Sequence, residues 1–174
     1  MAAQERPTRD RLLDAFETLL VSAGSRAATL DAVAAEAQVS KGGLLYHFHS
    51  KDELVDGMLA RLREQGRADV EKMRTAKKGP VDFYLTTSIN SGSDFDRALI
   101  AAARIAQTDT RASQALGDLR EGWFEVLQHH LEDEALARTI QLIGDGLYFD
   151  DTTGLNEKNA LKHVRDVLKR LDAL

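Results

Sequence analysis

The sequence predicts an all-α chain of about nine helices, on three observations. Apolar residues recur at spacings of three and four along nearly the whole chain. The two prolines, Pro7 and Pro80, stand at the borders of these periodic stretches rather than inside them. Between Thr29 and Leu59, the segment TLDAVAAEAQVSKGGLLYHFHSKDELVDGML sets three helix starts close together. The elements follow in order. After Pro7 a first helix runs to Gly24, with Leu12, Leu13, Phe16, Leu19 and Leu20 as its buried stripe. Thr29 caps a short second helix by accepting from an exposed backbone N–H, and Leu30, Val33, Ala34 and Ala37 face its core. Ala37-Gln38-Val39-Ser40 is a turn in which Val39 plugs the angle between two helices and Ser40 caps the next one.

That third helix, Lys41 to Phe48, has Gly42 and Gly43 near its start. Each glycine costs a helix interior roughly 1 kcal/mol relative to alanine, but a bare backbone approaches another surface closely. Tyr46 and His47 add hydrogen-bonding tips. Ser50-Lys51-Asp52-Glu53 is a capping box for the fourth helix. Lys51 in its first turn suits the helix dipole poorly, yet is placed to meet a phosphate there. Two short helices joined by a few residues are a device for presenting one helix to the major groove of DNA. The bland alternative is a small helical core with a surface lysine and two solvated aromatic rings.

The fourth helix is expected to run to about Ala76, with Leu54, Met58, Leu62, Val70 and Met73 on its inner face. Lys77-Lys78-Gly79 then ends it. Five further helices follow. The first covers Asp82 to Ile89, before a break at Asn90-Ser91-Gly92. The next starts at Ser93-Asp94-Phe95-Asp96 and holds Leu99, Ile100, Ala103 and Ile105. Beyond Thr108-Asp109-Thr110, a third reaches about Leu131 through Leu116, Leu119, Trp123, Phe124 and Leu127. Asp133 or Glu134 opens a fourth, ended by Asp150-Asp151-Thr152-Thr153-Gly154. The last holds Leu161, Val164, Leu168 and Leu171 at spacings of three, four and three. No internal repeat or low-complexity tract is visible.

The stretch VSKGGLLYHFHSKDEL resembles the recognition-helix signature of the TetR-type transcriptional regulators. That signature runs Val-Ser-x-Gly-x-Leu-Tyr-x-His-Phe, then Ser-Lys-x-x-Leu at the next helix. The resemblance implies a helix-turn-helix DNA-binding domain over residues 1–52, and an effector-binding and dimerisation domain over residues 53–174. It further implies a homodimer that represses transcription until a small molecule releases it from a double-stranded DNA operator. Carried over by position, Lys41, Gly42 and Gly43 would lie against base edges, with Ser40 beside them at the start of the recognition helix. Tyr46, His47, Lys51 and Thr29 would hold phosphates. Two positions depart from the family pattern. Leu45 stands where a phosphate-binding tyrosine is usual, so that contact is lost or passes to Tyr46. Gln38 stands where the turn often has glycine, so a left-handed backbone there carries strain.

The resemblance also places an effector pocket between the fourth helix and the helices after Pro80. Pockets are mainly apolar with a few polar anchors, which selects Met73, Phe83, Tyr84, Arg104, Gln107, Trp123, Phe124 and Tyr148 as candidate lining. A hydrophobic or aromatic effector would suit the Trp123–Phe124 pair. The last two helices are the expected dimer interface, through Leu136, Ile140, Ile143, Leu147, Leu161, Val164, Leu168 and Leu171. Gly144 and Gly146 would permit close approach where helices cross, and Gly144-Asp145-Gly146-Leu147-Tyr148 is similar to an Asp-Gly-Leu-aromatic stretch of the family's C-terminal domains. The same stripes would also serve simply as core.

Composition limits the alternatives. The net charge is -5, but residues 1–51 carry six basic and six acidic side chains against ten and sixteen in residues 79–174. The acidity therefore lies away from the reading head, and modest non-specific affinity is expected. No cysteine is present, which excludes a disulfide scaffold and a thiolate metal site. No apolar run would span a bilayer and no signal peptide is apparent, so a cytoplasmic protein without a membrane partner is expected. Neither a catalytic motif nor a phosphate-binding glycine loop is present, so no enzyme and no cofactor are expected. His129 and Asp133, four apart, are the better of two weak metal pairs, and no metal site is expected. The competing reading is a helical protein-interaction module or a regulator without an inducer.

Overall fold

The computed structural model describes residues 6–89, 91–155 and 157–171, and Asn90 of the expected break lies outside them. Among these residues there are nine helices and no strand. In chain order they are α1 (Thr8–Ala23), α2 (Leu30–Glu36), α3 (Lys41–His47), α4 (Lys51–Arg74), α5 (Pro80–Thr87), α6 (Asp94–Ile105), α7 (Thr110–Leu131), α8 (Glu134–Thr153) and α9 (Ala160–Arg170). The chain is all-α, as expected. None of the described helices is long and apolar enough to cross a membrane.

Several borders differ from the expected ones: α3 ends at His47 rather than Phe48, α5 ends at Thr87 rather than Ile89, and two more have a clear cause. Helix α5 begins at Pro80, because proline is preorganised for the first helical position and its missing N–H would be unpaired there anyway. Helix α8 continues through the Asp150–Thr153 segment expected to end it. The Thr152 and Thr153 hydroxyls donate to the Tyr148 and Phe149 carbonyls four residues back, at 2.8 and 2.7 Å. Those polar side chains are thus satisfied within the helix, and Gly154 ends it in a left-handed conformation.

The chain divides into two compact units, the first reaching to Gln65 and including Asp94–Leu116. It therefore takes in the first half of α4 and all of α6, well beyond residue 52. Leu12, Leu13, Phe16 and Leu20 of α1 are buried, with Val33, Leu44, Phe48, Leu54, Met58 and Leu62. Helix α6 packs on α1 and buries its small face of Ala98, Ala101, Ala102 and Ile105.

A charge cluster joins three helices of this unit. Glu17 of α1 is fully buried, with Arg61 Nη2 of α4 at 2.6 Å and Arg97 Nε of α6 at 3.3 Å. Asp14 bridges the same two guanidinium groups at 2.8 and 3.2 Å, and Asp94 meets Arg97 at 2.9 Å. Burial pushes the Glu17 carboxyl up from its ordinary value, and Arg61 draws it back down.

The second unit comprises Gly66–Ser93 and the chain from Gly117 onward. Its core holds Met73, Val81, Tyr84, Leu85, Phe124, Val126, Leu127, Ala137, Ile140 and Leu168. Gly144 lies against the Tyr84 ring so closely that a Cβ there would stand 2.3 Å from Cε1. Glycine at this point of α8 is a packing requirement. The Tyr84 hydroxyl donates to the Gln141 carbonyl at 3.3 Å and to Asp145 Oδ1 at 3.4 Å. Gln141 is fully buried and is held from both sides: its Nε2 donates to the Arg120 carbonyl at 2.6 Å, and its Oε1 accepts from Arg138 at 2.7 Å.

Two stability changes are expected. Glu17→Ala removes the buried carboxylate that Arg61 and Arg97 share, leaving them Asp14 and, for Arg97, Asp94. It should lower unfolding free energy by about 1–3 kcal/mol, read as a lower urea midpoint at an unchanged m-value. Gly144→Ala overpacks the α5–α8 contact and should cost about 1–3 kcal/mol by the same measurement. A midpoint unchanged within error would show that the corresponding contact carries no net stability.

Candidate nucleic-acid interface

The two short helices of the head are defined by their caps. Thr29 Oγ1 accepts from Ala32 N at 3.2 Å at the start of α2, and Ser40 Oγ accepts from Gly43 N at 3.1 Å at the start of α3. Accepting with the oxygen leaves each hydroxyl proton able to donate to an external acceptor. Between the helices, Gln38 takes a φ of 55°, the left-handed turn expected from the sequence. Val39 behind it is half-buried.

Helix α3 is rooted by its inner face and open on its outer one. Leu44 and the C-capping Phe48 are buried, whereas Lys41, Gly42 and Tyr46 are exposed, Tyr46 at 82%. Tyr46 and His47 meet edge to face at 5.1 Å. The two glycines differ in role. A Cβ on Gly42 would meet nothing within 4 Å, so that backbone stands clear for an approaching surface. A Cβ on Gly43 would come within 2.8 Å of Val39 Cγ1, so this glycine lets the turn close on the helix. Lys41 Nζ lies 2.9 Å from Asp31 of α2, a partner that the sequence reading missed. The signal for it was an acidic residue in the first turn of the neighbouring short helix.

Lys51 is more constrained than its sequence position suggested. Its ammonium donates to the Ser25 carbonyl and, at 3.2 Å, to Ser25 Oγ, binding the start of α4 to the loop after α1. Arg111 at the start of α7 reaches the same end of α4, meeting Asp52 at 3.2 Å and Asp56 at 3.0 Å. The capping box closes one residue early. Glu53 N donates to Ser50 Oγ at 3.2 Å, and the Glu53 carboxylate accepts from His49 N at 2.8 Å. That backbone N–H, then the His49 ring, hold the Glu53 carboxyl below its ordinary value.

The candidate effector residues are dispersed. Met73, Tyr84 and Phe124 are buried in the core of the second unit, with Phe83 and Trp123 packed against it. Trp123 Nε1 donates to Asp69 at 2.9 Å, and its ring meets Tyr84 edge to face at 5.8 Å. Tyr148 is half-buried in the same unit. Arg104 and Gln107 belong to the first unit and are exposed.

The candidate dimer residues face mostly inward. Ile140 and Leu168 are buried in the core, and Leu136, Ile143, Leu147, Leu161 and Val164 pack against it. Of those eight, Leu171 is exposed. Besides Leu171, which caps α9 at 60% exposure, the large apolar side chains that α8 and α9 turn outward are Leu142, Phe149 and Val167, at 59, 59 and 45% exposure. The stripe with the cleaner spacing serves the chain's own core because burial within the unit selects for regular periodicity. Among the described residues, no cluster of three or more metal-ligating side chains occurs.

Comparison with known proteins agrees with this geometry. Residues 12–58 match the family model of bacterial regulatory proteins of the tetR family, and residues 78–174 match that of the tetracyclin repressor-like C-terminal domain. Over 59 residues the chain is 39% identical to the HTH-type transcriptional regulator TtgW of Pseudomonas putida, a match covering 34% of this chain and 44% of that protein. It is 28% identical over 148 residues to the HTH-type transcriptional repressor KstR2 of Rhodococcus jostii, covering 77% of this chain and 70% of that one. The chain thus spans less than half the length of TtgW and over two thirds of KstR2. The fold is shared with the multidrug binding protein EbrR, solved with malachite green, at a TM-score of 0.70 and 21% identity over 97% of this chain and 98% of that one.

The cap at α4 titrates. Because the Glu53 pKa is depressed on folding, its contribution is present above the ordinary carboxylate range and is lost as pH falls through the folded value. Amide exchange of His49, corrected for intrinsic rates, should lose protection as pH drops from about 6 to about 3, and Glu53→Gln should flatten that profile. Identical corrected profiles for the two proteins would remove Glu53 from this role.

Proposed function

Since the chain belongs to the TetR family of bacterial transcriptional regulators and is a DNA-binding protein, we propose that it acts as a cytoplasmic, homodimeric repressor released from its operator by a small hydrophobic or aromatic effector. The observation that carries this reading is α3, anchored by Leu44 and Phe48 while Lys41, Gly42 and Tyr46 face outward beside the α2 cap. Lys41, Ser40 and the open backbone at Gly42 face the base edges in the major groove. Tyr46, His47 and the Thr29 hydroxyl hold phosphates. Lys51 contributes its remaining N–H to a phosphate and meanwhile secures the loop at Ser25.

Dimerisation is assigned to the outward face of α8 and α9, where Leu142 and Phe149, seven residues apart, form one stripe and Val167 and Leu171, four apart, form another. Two such helices from each protomer pack as a four-helix bundle and bury an apolar face that is otherwise left in water. The effector occupies the second unit by displacing the Tyr84–Trp123 ring pair, with Met73, Phe83, Phe124 and Tyr148 around it. Malachite green in EbrR, an aromatic ligand held by a protein of this fold, supports that chemistry. The effector releases DNA by its greater affinity for the displaced state.

The test is selection of duplexes from a random pool with the purified chain. A two-fold symmetric sequence with half-site centres about 34–36 Å apart, or a multiple, is expected. Phe149→Glu should sediment as a monomer and bind the selected duplex at least about tenfold more weakly, because it no longer holds two heads on one duplex. An unenriched pool would refute DNA reading, and a dimeric Phe149→Glu protein would refute the assigned face.

A further inference from the structure

Lys41 is paired within the chain before any DNA arrives. Its ammonium lies 2.9 Å from the Asp31 carboxylate, and the two side chains remain 62 and 71% exposed. The pair links the first turn of α2, two residues past the Thr29 cap, to the first turn of α3, one residue past the Ser40 cap. It therefore places a negative charge within the surface that meets the phosphodiester backbone. We propose that Asp31 is a specificity-determining residue of the reading head, which holds Lys41 away from phosphates and penalises any duplex that offers nothing better. This inference rests on the DNA-reading assignment of α3.

A free lysine that meets a phosphate displaces a condensed counterion and gains affinity for every sequence. A lysine that must first leave a carboxylate exchanges one ion pair for another and uncovers an anion beside the DNA. Like charges set together at an interface oppose association, so the net gain on an arbitrary duplex is small. On a duplex whose base edges present acceptors to Lys41 in register, directional hydrogen bonds are added and the exchange becomes favourable. Asp31 thus lowers affinity for all DNA, but lowers it most where the bases do not match. The low count of basic residues in the head gives this single pair leverage. Thr29 remains the helix cap when Asp31 is altered, so the effect is separable from folding of α2.

The experiment measures binding of wild type, Asp31→Asn and Asp31→Ser to a duplex selected by the wild-type chain and to a shuffled version of it, across a salt series. Asp31→Asn should tighten binding to the shuffled duplex about tenfold and to the selected one about threefold or less, and steepen the salt slope on shuffled DNA by about one unit. Circular dichroism melting of both variants separates this from loss of fold, and Asp31→Ser supplies the comparison if one variant melts early. Equal changes on both duplexes, or no change on either, overturn the proposal while leaving DNA reading intact. A wild-type chain that enriches no duplex overturns both.

Discussion

Helices of seven residues do not persist by themselves, since nucleation costs more than so few backbone hydrogen bonds return. The reading head exists because hydroxyls at Thr29, Ser40 and Ser50 satisfy N–H groups where α2, α3 and α4 begin. These caps fix where each helix starts, hence which residues turn inward. Leu44 and Phe48 are buried only because α3 starts at Lys41, and the same start places Lys41 and Tyr46 outside. The chemistry of the head follows from that register.

The head was legible in the sequence because its signals are local. Caps, turn and capping box act over three or four residues, and each formed at or beside its expected position. Glycine was legible as a type but not in its reasons: Gly42 and Gly43 look alike in the sequence, while one stands clear and the other closes on Val39. Pairing across helices was not legible. Asp31 in the first turn of α2 marks a candidate partner for Lys41, but neither that pairing nor the hold of Ser25 on Lys51 follows from spacing, because such contacts depend on the angle between elements. For the same reason, the stripe with the best periodicity in α8 and α9 turned toward the chain's own core, and the irregular one faced solvent.

The second unit is closed around Tyr84. Its ring fills the space left by Gly144, and its hydroxyl is held by the Gln141 carbonyl and Asp145. Arg138 lies over the Phe124 ring at 3.4 Å, and Arg165 ties α9 to Asp82 of α5 at 2.7 Å. The chain's own side chains thus pack directly around Tyr84. On the proposed effector reading, a guest that displaces the Tyr84–Trp123 pair binds more weakly by the free energy of that displacement.

The first unit is not a continuous piece of chain. Helix α6 lies far along the sequence, yet it covers α1, and its Arg97 completes the charge around Glu17. Homologous swapping of the reading head between related regulators would thus leave a graft incomplete if cut at the end of α3 or within α4. The transplanted piece would carry Glu17 without Arg97, and an uncovered apolar flank, into a foreign host. A viable chimera has to transplant residues 94–116 together with the N-terminal segment, as two separated inserts.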